Sequence, residues 1–434
     1  MLSVLANRTY RHLFLAQVIA LVGTGLATVA LGLLAFEIAG ANAGAVIGTA
    51  LAIKMVAYVV IAPIAGAFAE VLPRRRMLVM LDLVRAGVAV ALPFVTQAWQ
   101  IYLLIFLLQS ASAAFTPTFQ ATIPDVLPDE RDYTRALSLS RLAYDLENLL
   151  SPTLAALLLL WISYHSLFIG TVLGFLASAL LVVSVILPKP QATERRGFFD
   201  RTTRGLRAYL ATPRLRGLLA ISLAVAAAGS MIIVNTVVLV QARLGLSQRE
   251  TAWALAAFGG GSMIAAFALP RILDRLPDRP VMLAAASVLP LALIAMAMLP
   301  PYPLLLAIWV ATGFAYASAQ TPSGRLLRRS SSDEDRPALF AAHFAASHAC
   351  WLICYPLAGW LGSLVGLGAA AWALAGISLT GVVTALLVWP RTDAETVPHV
   401  HSDLPADHPH LADHRGAGSH RHALVIDELH PRWP

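Results

Sequence analysis

The chain has 434 residues, 58% of them hydrophobic and 13% charged, with a formal net charge of +7. Globular domains carry roughly a quarter charged residues, so this balance excludes an ordinary soluble protein. The positive charge sits in short loops between apolar blocks, which also excludes a nucleic-acid surface, and no nucleic-acid partner is expected.

Twelve apolar blocks follow one another at about residues 13–36, 44–69, 77–96, 100–122, 137–161, 166–187, 217–240, 252–273, 281–299, 303–323, 338–362 and 367–389. Each is long enough to cross a bilayer core of about 30 Å. Backbone groups in hydrocarbon must be satisfied within their own segment, so the blocks are helices. The first block, from Leu13, is too long for a signal peptide and lacks a cleavage site, so it is read as a span. The expected fold class is an all-α membrane protein with twelve transmembrane helices. Cys350 and Cys354 are the only cysteines and lie four apart in one block, so they are read as reduced thiols on one helix.

Arginine sets the orientation. One set of alternating loops holds Arg8, Arg11, Arg74 to Arg76, Arg131 and Arg135, and the long central loop with Lys189, Arg195, Arg196, Arg201, Arg204, Arg207, Arg214 and Arg216. It continues with Arg271, Arg275, Arg279, Arg325, Arg328, Arg329 and Arg336, whereas the opposite set holds only Arg243 and Arg249. The positive-inside rule therefore predicts a multi-pass protein of the bacterial inner membrane with both termini cytoplasmic.

The chain repeats itself at a spacing near 204. Glu70-Val-Leu72-Pro73-Arg-Arg75 matches Asp274-Arg-Leu276-Pro277-Asp-Arg279, Thr116-Pro117 matches Thr321-Pro322, and Pro152 matches Pro356. The expected organisation is an N-terminal six-helix half (1–188), a basic cytoplasmic linker (189–216), a pseudo-symmetric six-helix half (217–390) and a cytoplasmic tail (391–434). Residues 198–211 of the linker, with Phe198, Phe199, Leu206 and Tyr209 among arginines, are expected to form a helix on the inner membrane surface.

Over residues 5–390 this layout resembles the major facilitator superfamily. The resemblance is carried by the loop between spans two and three, where the family pattern is Gly-x-x-x-Asp-Arg-x-Gly-Arg-Arg. Here it reads Gly66-Ala-Phe-Ala-Glu70-Val-Leu-Pro73-Arg74-Arg75. The resemblance implies a gating role for Gly66, Glu70, Arg74 and Arg75, and for Asp274, Arg275 and Arg279 in the repeat copy. Glutamate replaces the aspartate, valine the first arginine and proline the second glycine. The family's antiporter signature in span five, Gly-x-x-x-Gly-Pro-x-x-Gly-Gly, aligns with Glu147, Ser151, Pro152, Ala155 and Ala156, so a carboxylate stands where the family has glycine. Span four carries Gln109 and lacks the arginine of many proton-coupled drug exporters.

Ionisable groups inside spans are costly and point to function. Span five has Arg141, Asp145 and Asn148 on one helical face, with Glu147 turned away; Arg141 and Asp145 are an i,i+4 pair. Glu147 lacks a local partner and is the better proton or cation ligand. In span eleven His343, Ser347, Cys350 and Cys354 form one stripe, with His348 on the other side. Imidazole and thiolate are metal-ligand types, yet buried cysteine is also ordinary packing. Lys54, in mid-span two, needs a partner or a deprotonated state, and Asp145 is one candidate. Asp82 and Arg85 are expected to brace the motif loop. Gln17, Asn235 and Gln320 are cavity candidates.

The tail holds eight of the twelve histidines: His399, His401, His408, His410, His414, His420, His422 and His430, interleaved with Asp403, Asp407, Asp413 and Asp427. A histidine-rich tract beside carboxylates suits divalent transition metals, and its composition predicts little order without a ligand. The final stretch, from Ala423, is more apolar and is expected to dock on the transporter. A histidine-rich tail on this fold resembles the bacterial nickel-resistance exporters. That resemblance implies efflux of Ni²⁺, or of Co²⁺ or Fe²⁺, with inward protons as driving force. The alternative is export of a drug, siderophore or other small organic molecule with a regulatory metal-binding tail; a metal sensor or buffer that transports little is a third reading. No nucleophile–base pair or phosphate loop appears, so no enzyme is expected. The expected partners are the lipid bilayer, divalent metal ions and protons. No cofactor is expected beyond a metal as substrate or tail ligand, and the chain is expected to be a monomer.

Overall fold

The computed structural model describes residues 2–69, 73–129, 132–133, 135–136, 139–140, 143, 151, 154–187, 198–331, 336–392, 396–399, 420–423, 425–426, 430 and 433. Eleven of the twelve expected spans are described helices: first Arg8–Ala39, second Ala43–Ala69, third Arg74–Ala91, fourth Ala98–Val126, sixth Tyr164–Val183, seventh Pro213–Val237, eighth Gln248–Leu273, ninth Asp278–Ala297, tenth Tyr302–Gln320, eleventh Arg336–Leu364 and twelfth Leu367–Val388. Of the fifth, helical backbone is described at positions between 132 and 159. The helices start and stop where local chemistry dictates. Asn7 accepts the Tyr10 amide at 3.0 Å to cap the first helix. Gln97 and Gln100 form a reciprocal box at the head of the fourth.

The two sets of six helices pack in the same pattern. The first helix lies against the sixth as the seventh does against the twelfth; the second against the fourth as the eighth against the tenth; the third against the fourth and sixth as the ninth against the tenth and twelfth. The internal repeat in the sequence is therefore a repeat of packing. One apolar core runs through both sets, and a smaller one lies within the first. Leu13, Leu78, Phe119 and Ile123 belong to the smaller, and Leu34, Leu51, Phe168, Met282, Leu374 and Trp389 to the larger.

All twelve spans turn at one of two ends, here called the arginine-rich end and the opposite end. The motif loops brace the arginine-rich end within each set. Arg74 pairs with Asp125 at the foot of the fourth helix, and Arg75 donates to the Val183 carbonyl at the foot of the sixth. In the second set the roles reverse: Asp278 accepts from Arg325 Nε at 2.9 and 3.1 Å. Arg279 Nε donates to the Trp389 carbonyl at 3.1 Å. Arg325 belongs to a short helix, Ser323–Arg329, that follows the tenth span. Asp82 and Arg85 are buried and pair with each other, while Ser178 donates to Asp82 at 2.7 Å. The Arg85 guanidinium lies over the rings of Phe115 and Phe175. This pair ties the third, fourth and sixth helices together inside the membrane, and Arg74 and Arg75 hold the loop.

Between the sets, the main pairings are the second helix with the eleventh and seventh, and the first with the seventh. The turns that end the first and seventh helices also touch: a 3-10 turn at Gly40–Asn42 and a π-turn at Val238–Arg243. Interrupted helix ends of this kind often mark functional positions.

The linker forms the expected helix, Phe198–Ala211, packed on the eleventh span. Two short segments of the tail are described as strands. Thr396–His399 pairs antiparallel with His420–Ala423. Ile426 and His430 are buried, and the Arg214 guanidinium lies 4.9 Å from the ring centre of Trp433. The final stretch thus docks where the linker helix meets the seventh span, as its apolar composition predicted. Trp433 gives a flat π surface and Arg214 a delocalised cation, a pairing that resists water.

Candidate functional site

The helices that join the two sets meet closely at the opposite end. Gly44 and Gly48 of the second helix face Gly359 of the eleventh. A Cβ on Gly48 would lie 2.6 Å from the Tyr355 carbonyl oxygen and 3.1 Å from the Gly359 Cα. Glycine is what lets these backbones approach. Polar bonds reinforce the seam. Asn235 Nδ2 of the seventh helix donates to the Ala358 carbonyl at 3.0 Å. The Ala45 amide donates to Ser363 Oγ at 3.2 Å, and Trp360 Nε1 donates to Thr49 Oγ1 at 2.9 Å. Asn235, expected in the cavity, is instead a fastening of this seam.

Below the seam the eleventh helix carries a run of rings. Trp351 lies tilted against Tyr355 at 4.9 Å and meets Tyr316 of the tenth helix edge-on at 6.5 Å, and Tyr316 meets Phe258 of the eighth edge-on at 5.5 Å. Gly229 of the seventh helix leaves the space that the Trp351 ring fills. On the other side of the eleventh helix, His348 stacks on Tyr58 of the second at 5.6 Å and lies tilted against Phe344 at 3.8 Å. Its Nδ1 lies 2.7 Å from the Phe344 carbonyl, an i,i+4 contact. Trp351, Tyr58 and His348 are partly exposed. Trp351 is about 15 residues into its helix, roughly 22 Å from the arginine-rich end, so the rings lie at mid-membrane depth.

The stripe predicted on span eleven is real, and it faces the linker helix and the interior of the second set. His343 is 2% exposed, and its Nδ1 lies 2.9 Å from the hydroxyl of Tyr209. Burial raises the Tyr209 phenol well above its ordinary value, so it keeps its proton and can donate it to the imidazole. Cys350 and Cys354 are buried further along the stripe as free thiols, and Cys350 Sγ bonds to the Ala346 carbonyl at 3.5 Å. His343 and His348 are thus placed on opposite sides: one tied to the linker, the other in the seam between the two sets. Gln17 accepts from Ser140 Oγ at 2.6 Å, which ties the first helix to the fifth. Gln109 is buried in the fourth helix. Lys54 is partly buried in the second helix and is engaged by a neighbour.

Arg141, Asp145, Glu147 and Asn148 lie outside the described residues, as do Glu70, His401, His408, His410 and His414. Gly66 lies within the second helix, and Asp274 and Arg275 at the foot of the eighth. The strand pairing sets position 399 directly opposite 420 and 397 opposite 422. Alternate positions of a strand share a face, so histidine positions 399, 420 and 422 fall on one face of the ribbon. Among the described residues, no three His, Cys, Asp or Glu converge on a metal-sized site.

Twelve-span packing in two matching sets, joined by a glycine seam at one end, is the architecture of a membrane carrier. The chain belongs to the Major Facilitator Superfamily: the family profile matches residues 13–233 and 219–415. It is a multi-pass membrane transporter. It is 26% identical over 421 residues to the multidrug efflux pump Tap of Mycobacterium tuberculosis, a match covering 92% of this chain and 98% of Tap. A 131-residue stretch is 25% identical to the uncharacterized MFS-type transporter YfiS of Bacillus subtilis, but spans only 31% of that protein. Among solved structures, the nucleoside transporter NupG superposes with a TM-score of 0.67 at 14% identity, over 88% of this chain and 98% of NupG. A bacterial homologue of the human lysosomal transporter Spinster superposes with a TM-score of 0.66 at 14% identity, over 87% of this chain and 96% of its own.

Proposed function

We propose that this transporter exports organic molecules bearing flat apolar groups, from the cytoplasm outward across a bacterial inner membrane, driven by inward protons. The observation that carries the reading is Trp351, partly exposed at mid-membrane depth and backed by the buried rings of Phe258, Tyr316 and Tyr355. A partly exposed indole held by rings behind it can bind varied flat ligands by stacking and burial. A multidrug efflux pump matched over nearly its full length supports the same reading. The arginine-rich end is assigned to the cytoplasm by the loop charges. In that orientation the glycine seam closes the outer side and the carrier stands ready to load from within. Alternating access would part the seam and close the arginine-rich end. Asp145 and Glu147 of the fifth span are the proton-carrying carboxylates of this scheme.

The test uses ethidium as the probe in cells that express the chain. Wild type should keep ethidium out, and Trp351→Ala should lose most of that efflux at equal protein abundance. Glu147→Gln should remove its dependence on the proton gradient. A wild-type chain that changes the accumulation of no member of a dye and drug panel would overturn the proposal.

The second reading is export of Ni²⁺, Co²⁺ or Fe²⁺. It is favoured by the strand register, which sets histidine position 399 opposite 420. Metal content, measured for several metals at once in cells with and without the protein, separates the two. A fall in one divalent metal with no change in dye uptake would select this reading. If only dyes respond, any metal bound by His399, His401, His408, His410, His414, His420, His422 and His430 acts as a regulator.

A further inference from the structure

The linker helix Phe198–Ala211 has two unlike sides. Gly205 and Tyr209 are buried against the eleventh helix, and Thr212 is buried just beyond. Leu206 and Leu210, one turn apart, are 41% and 45% exposed, and Arg207 beside them is exposed as well. A helix of 14 residues that leaves a leucine stripe uncovered has a further surface to meet. Only Thr212 separates it from Pro213, the first residue of the seventh span, so it lies at the membrane boundary. Arg201, Arg204 and Arg207 recur at every third position, against a single acid, Asp200. Leucine next to arginine at that depth matches a leaflet with anionic headgroups.

We propose that this helix binds anionic lipid and passes that contact to the eleventh span through the Tyr209–His343 hydrogen bond. The bond joins residues 134 apart at 2.9 Å, with the rings stacked at 5.8 Å. His343 stands near the arginine-rich end of the same helix that carries Trp351 and, at its far end, Gly359. A helix is stiff over that length, so a pull on His343 is felt at both. Anionic lipid would thereby bias the carrier between its two access states. Each arginine at an anionic surface is worth about fivefold in affinity, so losing three weakens the contact on the order of a hundredfold.

The experiment follows backbone hydrogen exchange of the full chain in nanodiscs of phosphatidylcholine alone and of phosphatidylcholine with one-third phosphatidylglycerol. It needs no transported substrate, so its outcome is independent of which cargo is correct. Anionic lipid should slow exchange in residues 198–211 and in 339–348 together. The triple variant Arg201→Gln, Arg204→Gln, Arg207→Gln should lose both effects. Tyr209→Phe should keep the first and lose the second. Equal exchange in the two lipids, or an unaltered response in the triple variant, overturns lipid binding. A full response of residues 339–348 in Tyr209→Phe overturns the coupling.

Discussion

Gly48→Ala tests how the carrier is balanced between its two states. The new methyl would sit 2.6 Å from the Tyr355 carbonyl oxygen and 3.1 Å from the Gly359 Cα. Both obstacles are backbone of the eleventh helix, so no side chain can swing away. The helices must part by several tenths of an ångström, and overpacking of this sort costs about 1–3 kcal/mol. That cost falls only on the state in which the seam is shut. Alanine also favours the helical state over glycine by about 1 kcal/mol, but equally in both states, so it cancels. The equilibrium should therefore move about 5- to 150-fold toward the state with the seam open. Spin labels at Asn42→Cys and Ser247→Cys, on exposed turns at the seam end, would report it as a longer distance, with Cys350 and Cys354 replaced by serine. Gly32→Ala is the control, since its nearest neighbour would be a side-chain carbon at 4.0 Å. An unchanged distance distribution in a folded Gly48→Ala protein would refute the seam as the gate.

Other outcomes follow from the same contacts. Asn235→Ala removes the bond to the Ala358 carbonyl and should open the seam in the same labelled pair by roughly tenfold, the worth of about 1.5 kcal/mol. Asp82→Ala strands the buried Arg85, and a broken buried pair costs about 3–5 kcal/mol, so the protein should fail to accumulate in membranes. Ser178→Ala removes one bond to Asp82 and should lower the thermal midpoint in detergent while the protein still folds, at a cost of about 1–3 kcal/mol. If the tail holds metal, Ni²⁺ should raise the melting temperature of the full chain, and His399→Ala with His420→Ala and His422→Ala should remove most of that rise. No rise with wild type would dismiss the tail as a ligand.

Hydropathy made the spans legible, because a bilayer enforces length and polarity on every crossing segment. The repeat motifs located the braces at Arg74 and Asp278, although the partners Asp125 and Arg325 carry no local mark. Helical periodicity grouped His343, Ser347, Cys350 and Cys354, and it separated His348 from them. What each face meets was beyond its reach. Tyr209 and His343 are 134 positions apart, and nothing in the linker announces its partner. Aromatic residues are common in apolar blocks, so the partly exposed Trp351 could not be told from the buried rings around it. Gly48 and Gly359 look like many other small residues until two helices are seen to touch. The ribbon at Thr396–His399 was missed for a related reason. Its composition argues against order, and the pairing that overrides it is with a segment more than 20 residues away.

The docking of Trp433 on Arg214 bears on how this protein can be handled. The tail leaves the twelfth span beside Trp389, whose ring fills the space over Gly217, and comes back to Arg214 three residues away from that glycine. Trp389 and Trp433, at the two ends of the tail, thus both lie at the head of the seventh span. A purification tag or fluorescent fusion placed after Pro434 would hang directly from the clasp. The same addition before Met1 would leave it shut, so the choice of terminus decides whether the Arg214–Trp433 contact is studied intact.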